Sequence, residues 1–104
     1  MVKYFFEWDP VKAKSNSTKH RITFEWATTI FRDKHAITIF DEEHSEEEER
    51  WITIGMDSNG IPLVVIHTVH HMSQEHYKIR LISARKATKH EITQYRREAY
   101  EKGI

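Results

Sequence analysis

The chain has 104 residues, no cysteine, 38% hydrophobic and 31% charged residues, and sixteen bases balanced by sixteen acids. That length predicts one domain over residues 1–104; the missing cysteine excludes disulfides and thiolate chemistry, and no apolar run or leader of the secretory kind is present, so a cytoplasmic protein without a membrane partner is expected. The zero net charge conceals an asymmetry, with seven acids against one base over residues 41–50 and eight bases against three acids over residues 76–104, so the C-terminal third is expected to present a basic surface to a polyanion.

The first element is an aromatic stretch, Tyr4 to Trp8, read as a short strand that ends at Asp9-Pro10. Asp there caps a helix, and Pro fills its first turn at no cost in hydrogen bonds. The helix from Pro10 to His20 has only Val11 and Ala13 as apolar residues and is expected on the surface, with Lys19 and His20 complementing its C-terminal dipole. Thr23 caps a second helix, whose apolar face is Phe24, Ala27, Ile30 and Phe31 at three- and four-residue spacing. A β-prone run follows from Ala36 to Phe40, and the acids of residues 41–49 are expected as a loop because their like charges repel too strongly to pair in a sheet.

Arg50 to Met56 alternates Trp51, Thr53 and Gly55 against Ile52, Ile54 and Met56, which is a strand pattern. Asp57-Ser58-Asn59-Gly60 supplies a hairpin turn through its Asn-Gly pair. The run from Ile61 to Val69 is nearly continuous in apolar residues and predicts a central strand covered on both faces. Met72 to Glu75 reads as a looser turn and Tyr77 to Ala84 as the next strand. A capping box of Thr88 and Glu91 opens a helix from about Lys89 to Lys102, with Ile92, Tyr95, Ala99 and Tyr100 facing inward and Gly103 as terminator. Strands grouped between helices rather than alternating with them predict the α+β class with an antiparallel sheet.

The chemistry concentrates in Ile79 to Glu91, where Arg80, Arg85, Lys86 and Lys89 stand on or just past the end of a strand that otherwise looks like core. Arginine forks and the free N–H groups of a strand-to-helix junction suit a phosphate, while ordinary solvated charge is the plainer reading. Arg50 adds a further cation, and Trp51 beside it is either a core aromatic or a stacking surface for a base. His67 interrupts the run LVVIHT; if it shares a sheet surface with Arg80 or Arg85 it is a general acid or base, and otherwise a hydrogen-bonded core histidine. Although His67, His70, His71 and His76 lie near one hairpin, their spacing matches no structural zinc site, and neither a metal nor another cofactor is expected.

Five segments in order, FEWDPVKAKSNSTKH at 6–20, TFEWA at 23–27, DEEHSEEEERWITIG at 41–55, LVVIHT at 63–68 and IRLISARKATKHE at 79–91, resemble the BrnT family of bacterial type II toxins. Two departures stand out: Arg21 replaces the glycine usual after Lys-His, which should change how the first helix ends, and the hairpin of residues 69–78 is longer than usual and carries histidines where an arginine is common. The resemblance implies a RelE-like fold, with a central antiparallel sheet of four to five strands, two N-terminal helices and a C-terminal helix. It also implies an RNA-cleaving toxin that stops translation and growth, a BrnA-like ribbon-helix-helix antitoxin as partner, and a toxin–antitoxin complex that binds operator DNA.

Metal-free RNA cleavage needs a base for the 2′-hydroxyl, cations for the charged phosphorane and an acid for the leaving oxygen. On that reading Arg85 and Arg80 hold the phosphate, Arg50 is a third cation and His67 is the titrating group. Lys19, His20, Trp51, Lys86 and Lys89 are the expected RNA contacts, with Lys19 or His20 able to stand in for His67. The alternative is a non-catalytic module that uses the same basic face to bind protein or nucleic acid.

Overall fold

The computed structural model describes the backbone of residues 1–102 and the side chains of residues 1–99. Its elements are β1 (Lys3–Trp8), α1 (Pro10–His20), α2 (Phe24–Ala27), β2 (Ile37–Phe40), β3 (Trp51–Met56), β4 (Pro62–Ser73), β5 (His76–Lys86) and α3 (Lys89–Lys102), with 3-10 turns at Thr28–Arg32 and Glu42–His44. The class is α+β, and the strands form one sheet in the order β1-β5-β4-β3-β2. From β2 to β5 the strands make an antiparallel meander, as expected; β1 joins the far edge parallel to β5, so the sheet is mixed. Gly103 and the side chain of Tyr100 lie outside the described residues.

Each sheet face carries its own core. On the first face Leu63, Val65, Ile79, Leu81 and Ala84 pack with Ile22, Phe24, Ala27 and Ile30 of the N-terminal helical layer. On the second, Ile37, Ile54 and Val64 pack with Tyr95, and Ala99 of α3 joins them. The alternation of burial partners along Leu63, Val64 and Val65 is that of a central strand covered on both sides, as its apolar run implies. The helix caps also follow the sequence: Asp9 accepts from Val11 N at 2.8 Å, Thr23 from Trp26 N at 3.1 Å, and Thr88 and Glu91 close their box at 3.2 and 2.8 Å.

Several local expectations change. The second helix stops as an α-helix at Ala27, because the hydroxyls of Thr28 and Thr29 bond back to the carbonyls of Glu25 and Trp26 at 2.7 and 2.8 Å and the chain tightens into a 3-10 turn. That turn crosses β3 so closely that a Cβ at Gly55 would stand 3.2 Å from the Ile30 carbonyl, which makes glycine the fitting residue. The first hairpin loop is organised by Asp57, whose carboxylate accepts from the backbone of Asn59 and Ile61 and from the Trp26 indole at 2.5 Å; only Gly60 there has positive φ, at 80°. The second hairpin is tighter than expected, with paired strands that run on to Ser73 and His76. Arg21 takes the left-handed conformation itself (φ 59°, ψ 33°), and its N–H bonds the Ser17 carbonyl at 2.8 Å, so α1 ends as it would at a glycine.

Two details position the second face. Asn16, on the polar helix α1, is buried, donates to the carbonyls of Ile22 and Ala84 and accepts from Ala84 N, all at 2.9–3.0 Å, which clamps β5 beside Arg85. In the β4–β5 ladder Ile66 faces Ser83 while His67 faces Leu81, so Ile82 is an extra residue. Strict alternation would put Arg80 and Arg85, five residues apart, on opposite faces; the bulge returns both to the second face, opposite Thr68 and Val64.

Candidate active site

Among the described residues, helix α3 packs on the part of the second face formed by Ile37, Ile54 and Val64. Over another part of that face lies a groove of about 690 Å³, with Ile52, Ile66 and Ile82 as an apolar floor, Arg50 and Arg85 at its sides, and the turn from Asp41 to His44 as a wall. The wall is fixed to the sheet at Arg50. Asp41 N donates to the Arg50 carbonyl at 2.9 Å, Arg50 N donates to Ser45 Oγ at 3.0 Å, and Ser45 Oγ donates to the Asp41 carbonyl at 2.5 Å.

The cations differ in how they are held. Arg85 forks onto Glu91, Nη1 to Oε1 at 2.8 Å and Nη2 to Oε2 at 2.9 Å, while Glu91 also accepts from Thr88 N. The Arg85 hydrogen bonds, helped by the Thr88 amide, bring the Glu91 carboxyl down to about 2. With a third N–H of Arg85 on the Lys86 carbonyl at 3.3 Å, the guanidinium keeps its Nε edge for another acceptor. Arg50 is held loosely: its Nη2 stands 3.5 Å from Glu48, and its Nε is shielded from solvent with no hydrogen-bond partner. The same Glu48 carboxylate bonds Arg80, so one acid of the 41–49 run bridges two arginines distant in sequence. The acidic segment is thus folded against the basic strand, and the charge asymmetry of the sequence is partly satisfied within the chain.

His67 is placed differently from the expectation that it shares a surface with Arg80 and Arg85. It lies on the first face, fully buried, its ring edge-on to Phe31 at 5.1 Å. Nδ1 donates to the Thr68 carbonyl at 3.2 Å; Nε2 accepts from Thr53 Oγ1 at 2.6 Å, and that hydroxyl accepts in turn from Thr38 at 2.8 Å. Burial pushes its pKa down to about 4, against a weaker opposing effect of the Thr68 carbonyl, so the ring is neutral at physiological pH. The reason is parity: in register with Trp51 and next to Leu81, position 67 falls on the helix-covered side.

Of the expected RNA contacts, Trp51 lies on the His67 side and packs edge-on against Phe40 at 5.2 Å. Lys19 and His20 end α1, which packs over the first face, and so stand away from the groove. Lys86 ends β5 and Lys89 opens α3, both exposed. Two of the hairpin histidines have other partners: His71 bonds the Gln74 carbonyl and stacks on Tyr77 at 4.9 Å, and His76 meets Ser73 and Phe5. Among the described residues no three His, Asp or Glu groups converge as metal ligands.

The sequence reading passed over His44. Its Nδ1 lies 3.0 and 3.2 Å from the two carboxylate oxygens of Asp41, a residue only 6% exposed, while the imidazole itself is 62% exposed in the groove wall. Because a carboxylate only accepts, Nδ1 carries a proton, and in the neutral ring Nε2 is then the nitrogen with a lone pair. The signal was present as D-x-x-H inside the quoted segment 41–55, obscured by the glutamates around it.

Residues 8–91 match the family described as "Ribonuclease toxin, BrnT, of type II toxin-antitoxin system". The crystal structure of the Brucella abortus ribonuclease toxin BrnT is similar to this fold, with a TM-score of 0.52 and 20% identity over 86% of this chain and 100% of that one, a likeness that concerns the fold. Among curated proteins no sequence matches.

Proposed function

Since the chain belongs to the BrnT family of ribonuclease toxins, whose type II systems pair each toxin with an antitoxin, we propose that it cuts RNA in the groove on the second sheet face and thereby stops translation. The observation that carries this reading is the convergence of Arg50, just before β3, and Arg85, on β5, on one apolar-floored groove. Two guanidiniums so placed clamp one phosphate: Arg85, oriented by Glu91, offers its Nε edge, and Arg50 offers its terminal nitrogens, of which Nη2 has only a long contact with Glu48 at 3.5 Å. Arg80 stands farther along β5 and serves a neighbouring phosphate once Glu48 yields. Lys89, at the start of α3, extends the cationic track past the strand end, whereas Lys86, in register with Leu63, falls on the first face.

Cleavage runs on side chains without a metal, a reading supported by two of the hairpin histidines, His71 and His76, which are engaged by a carbonyl, a hydroxyl and aromatic rings. The partner is a BrnA-like ribbon-helix-helix antitoxin, and the complex binds its operator. Inducing the chain alone in a bacterium is expected to arrest growth, and the purified protein is expected to cut RNA at an unchanged rate in excess chelator. Normal growth with soluble protein and intact RNA in vitro would reject the reading, and loss of cleavage in chelator restored by zinc or manganese would reject its metal-free part.

One observation favours the alternative, a non-catalytic binding module: each arginine of the face has a carboxylate within the chain, Arg85 on Glu91 and Arg50 and Arg80 on Glu48. Glu48→Gln separates the two. If Glu48 covers a phosphate site, releasing it strengthens RNA binding and cleavage; if the pairs only hold the fold, the substitution lowers the melting temperature and leaves RNA untouched.

A further inference from the structure

An RNA-cleaving groove needs a group that exchanges protons, and arginines do not. His67 is closed off behind the sheet. Glu42 and Glu43 line the groove, but among the described residues neither has a side-chain hydrogen bond that would aim it. What remains is the pair Asp41–His44, in which a buried carboxylate grips Nδ1 and turns Nε2 outward. The pair is fixed relative to the cations: Asp41 and Arg50 are cross-strand neighbours joined by a backbone hydrogen bond, and Ser45 ties the end of the turn to the same residue. A base and a phosphate-binding guanidinium therefore share one rigid mount.

We propose that His44, oriented by Asp41, is the general base of RNA cleavage in this groove; the inference rests on the ribonuclease reading above. His44 Nε2 takes the proton of a ribose 2′-hydroxyl, the O2′–P bond forms as the P–O5′ bond breaks, and solvent protonates the departing 5′-oxygen while the imidazolium returns its proton to solvent. The products are a 2′,3′-cyclic phosphate and a 5′-hydroxyl end. His44 is the catalytic residue and Asp41 a positioning residue that holds the tautomer. The charges around the ring are Asp41, Glu42 and Glu43 of its own turn, Glu46, Glu47 and Glu48 of the following loop, Arg50 just before β3 and Arg85 of β5. The arginines take the charge of the phosphorane.

The test compares the full-length wild-type protein with His44→Ala and Asp41→Asn on a defined RNA, as cleavage rate against pH, product ends and melting temperature. The expected result is cyclic-phosphate ends from the wild type and a loss on the order of 10²-fold in His44→Ala, with partial rescue by added imidazole. Asp41→Asn should keep part of the rate and move the pH profile, because the oriented tautomer is no longer enforced. Melting temperature monitors the fold, and imidazole rescue reports on a folded groove whatever the variant's stability. If the wild type cuts RNA and His44→Ala cuts it at the same rate with the same pH profile, the assignment is overturned while the ribonuclease reading stands. If His44→Ala is slow and imidazole restores nothing, His44 is not the base. No cleavage by the wild type overturns both.

Discussion

The two faces of the sheet each hold a histidine among threonines, arginines or carboxylates, and the faces use them in opposite ways. On the first face His67 sits under the helical layer with both ring nitrogens occupied, by Thr53 and the Thr68 carbonyl, and its burial keeps it neutral. On the second, His44 stands at the edge of a groove with one nitrogen held by Asp41 and the other without a hydrogen bond among the described residues. The same side chain is structural under the helical layer and available for chemistry beside the groove. Polar side chains follow the same division: Asn16 is spent on the Ala84 backbone, whereas Arg50 has only a long contact with Glu48 at 3.5 Å.

The strongest way to break this contrast is through the covered face. Asn16→Ala removes three buried hydrogen bonds and strands the Ile22 and Ala84 backbone groups, so unfolding by denaturant is expected to show a loss of about 3 kcal/mol. A loss below about 0.5 kcal/mol would mean that the clamp is dispensable.

Acid sharpens the contrast next. His67, with its pKa lowered from 6.5 to about 4, takes up its proton more readily when unfolded, so stability falls as pH drops from 6.5 towards 4. Glu91, lowered from 4.5 to about 2, contributes stability above pH 4.5 that is lost as pH falls towards 2. Melting temperatures against pH are expected to show both windows, the upper one gone in His67→Gln and the lower one in Glu91→Gln. A wild-type curve flat from pH 6.5 to 4 would contradict the burial argument for His67.

The smallest expected effect is at the end of α1. Arg21 holds φ at 59°, which costs a side chain of ordinary shape about 1 kcal/mol, so Arg21→Gly is expected to raise stability by roughly that amount without touching RNA cleavage. A lower melting temperature would show that the Arg21 side chain does something its backbone does not.

Caps, strands and the central position of β4 were readable because each rests on local chemistry: a capping oxygen three residues from its amide, an alternation, an unbroken apolar run. The left-handed Arg21 was not, since a helix can end there on a non-glycine residue when tertiary packing holds the chain in place. The extra residue at Ile82 leaves no mark in composition, yet it decides that Arg80 and Arg85 share a face. The sequence leaves position 67 open between that face and the core, because only the fold shows that Thr53, itself bonded to Thr38, and the Thr68 carbonyl supply it with partners inside. The roles of Asp33, whose carboxylate accepts from Met56 N and the Tyr95 hydroxyl, of Asp57 and of Asn16 are contacts between residues distant in sequence, and a single chain read in order shows none of them.

The central claim is that the groove on the second face binds the scissile phosphate. Arg85→Ala is a poor test, because it also strands Glu91 and weakens the start of α3. Arg50→Ala is cleaner: it removes a guanidinium whose Nε is buried without a partner and whose contact with Glu48 is long, so the fold should lose little. The decisive measurement is the rate of RNA cleavage by purified Arg50→Ala beside wild type at matched melting temperature. A fall on the order of 10²- to 10³-fold is expected for the loss of one preorganised donor to the charged phosphorane; wild-type cleavage by a folded Arg50→Ala protein would contradict the claim.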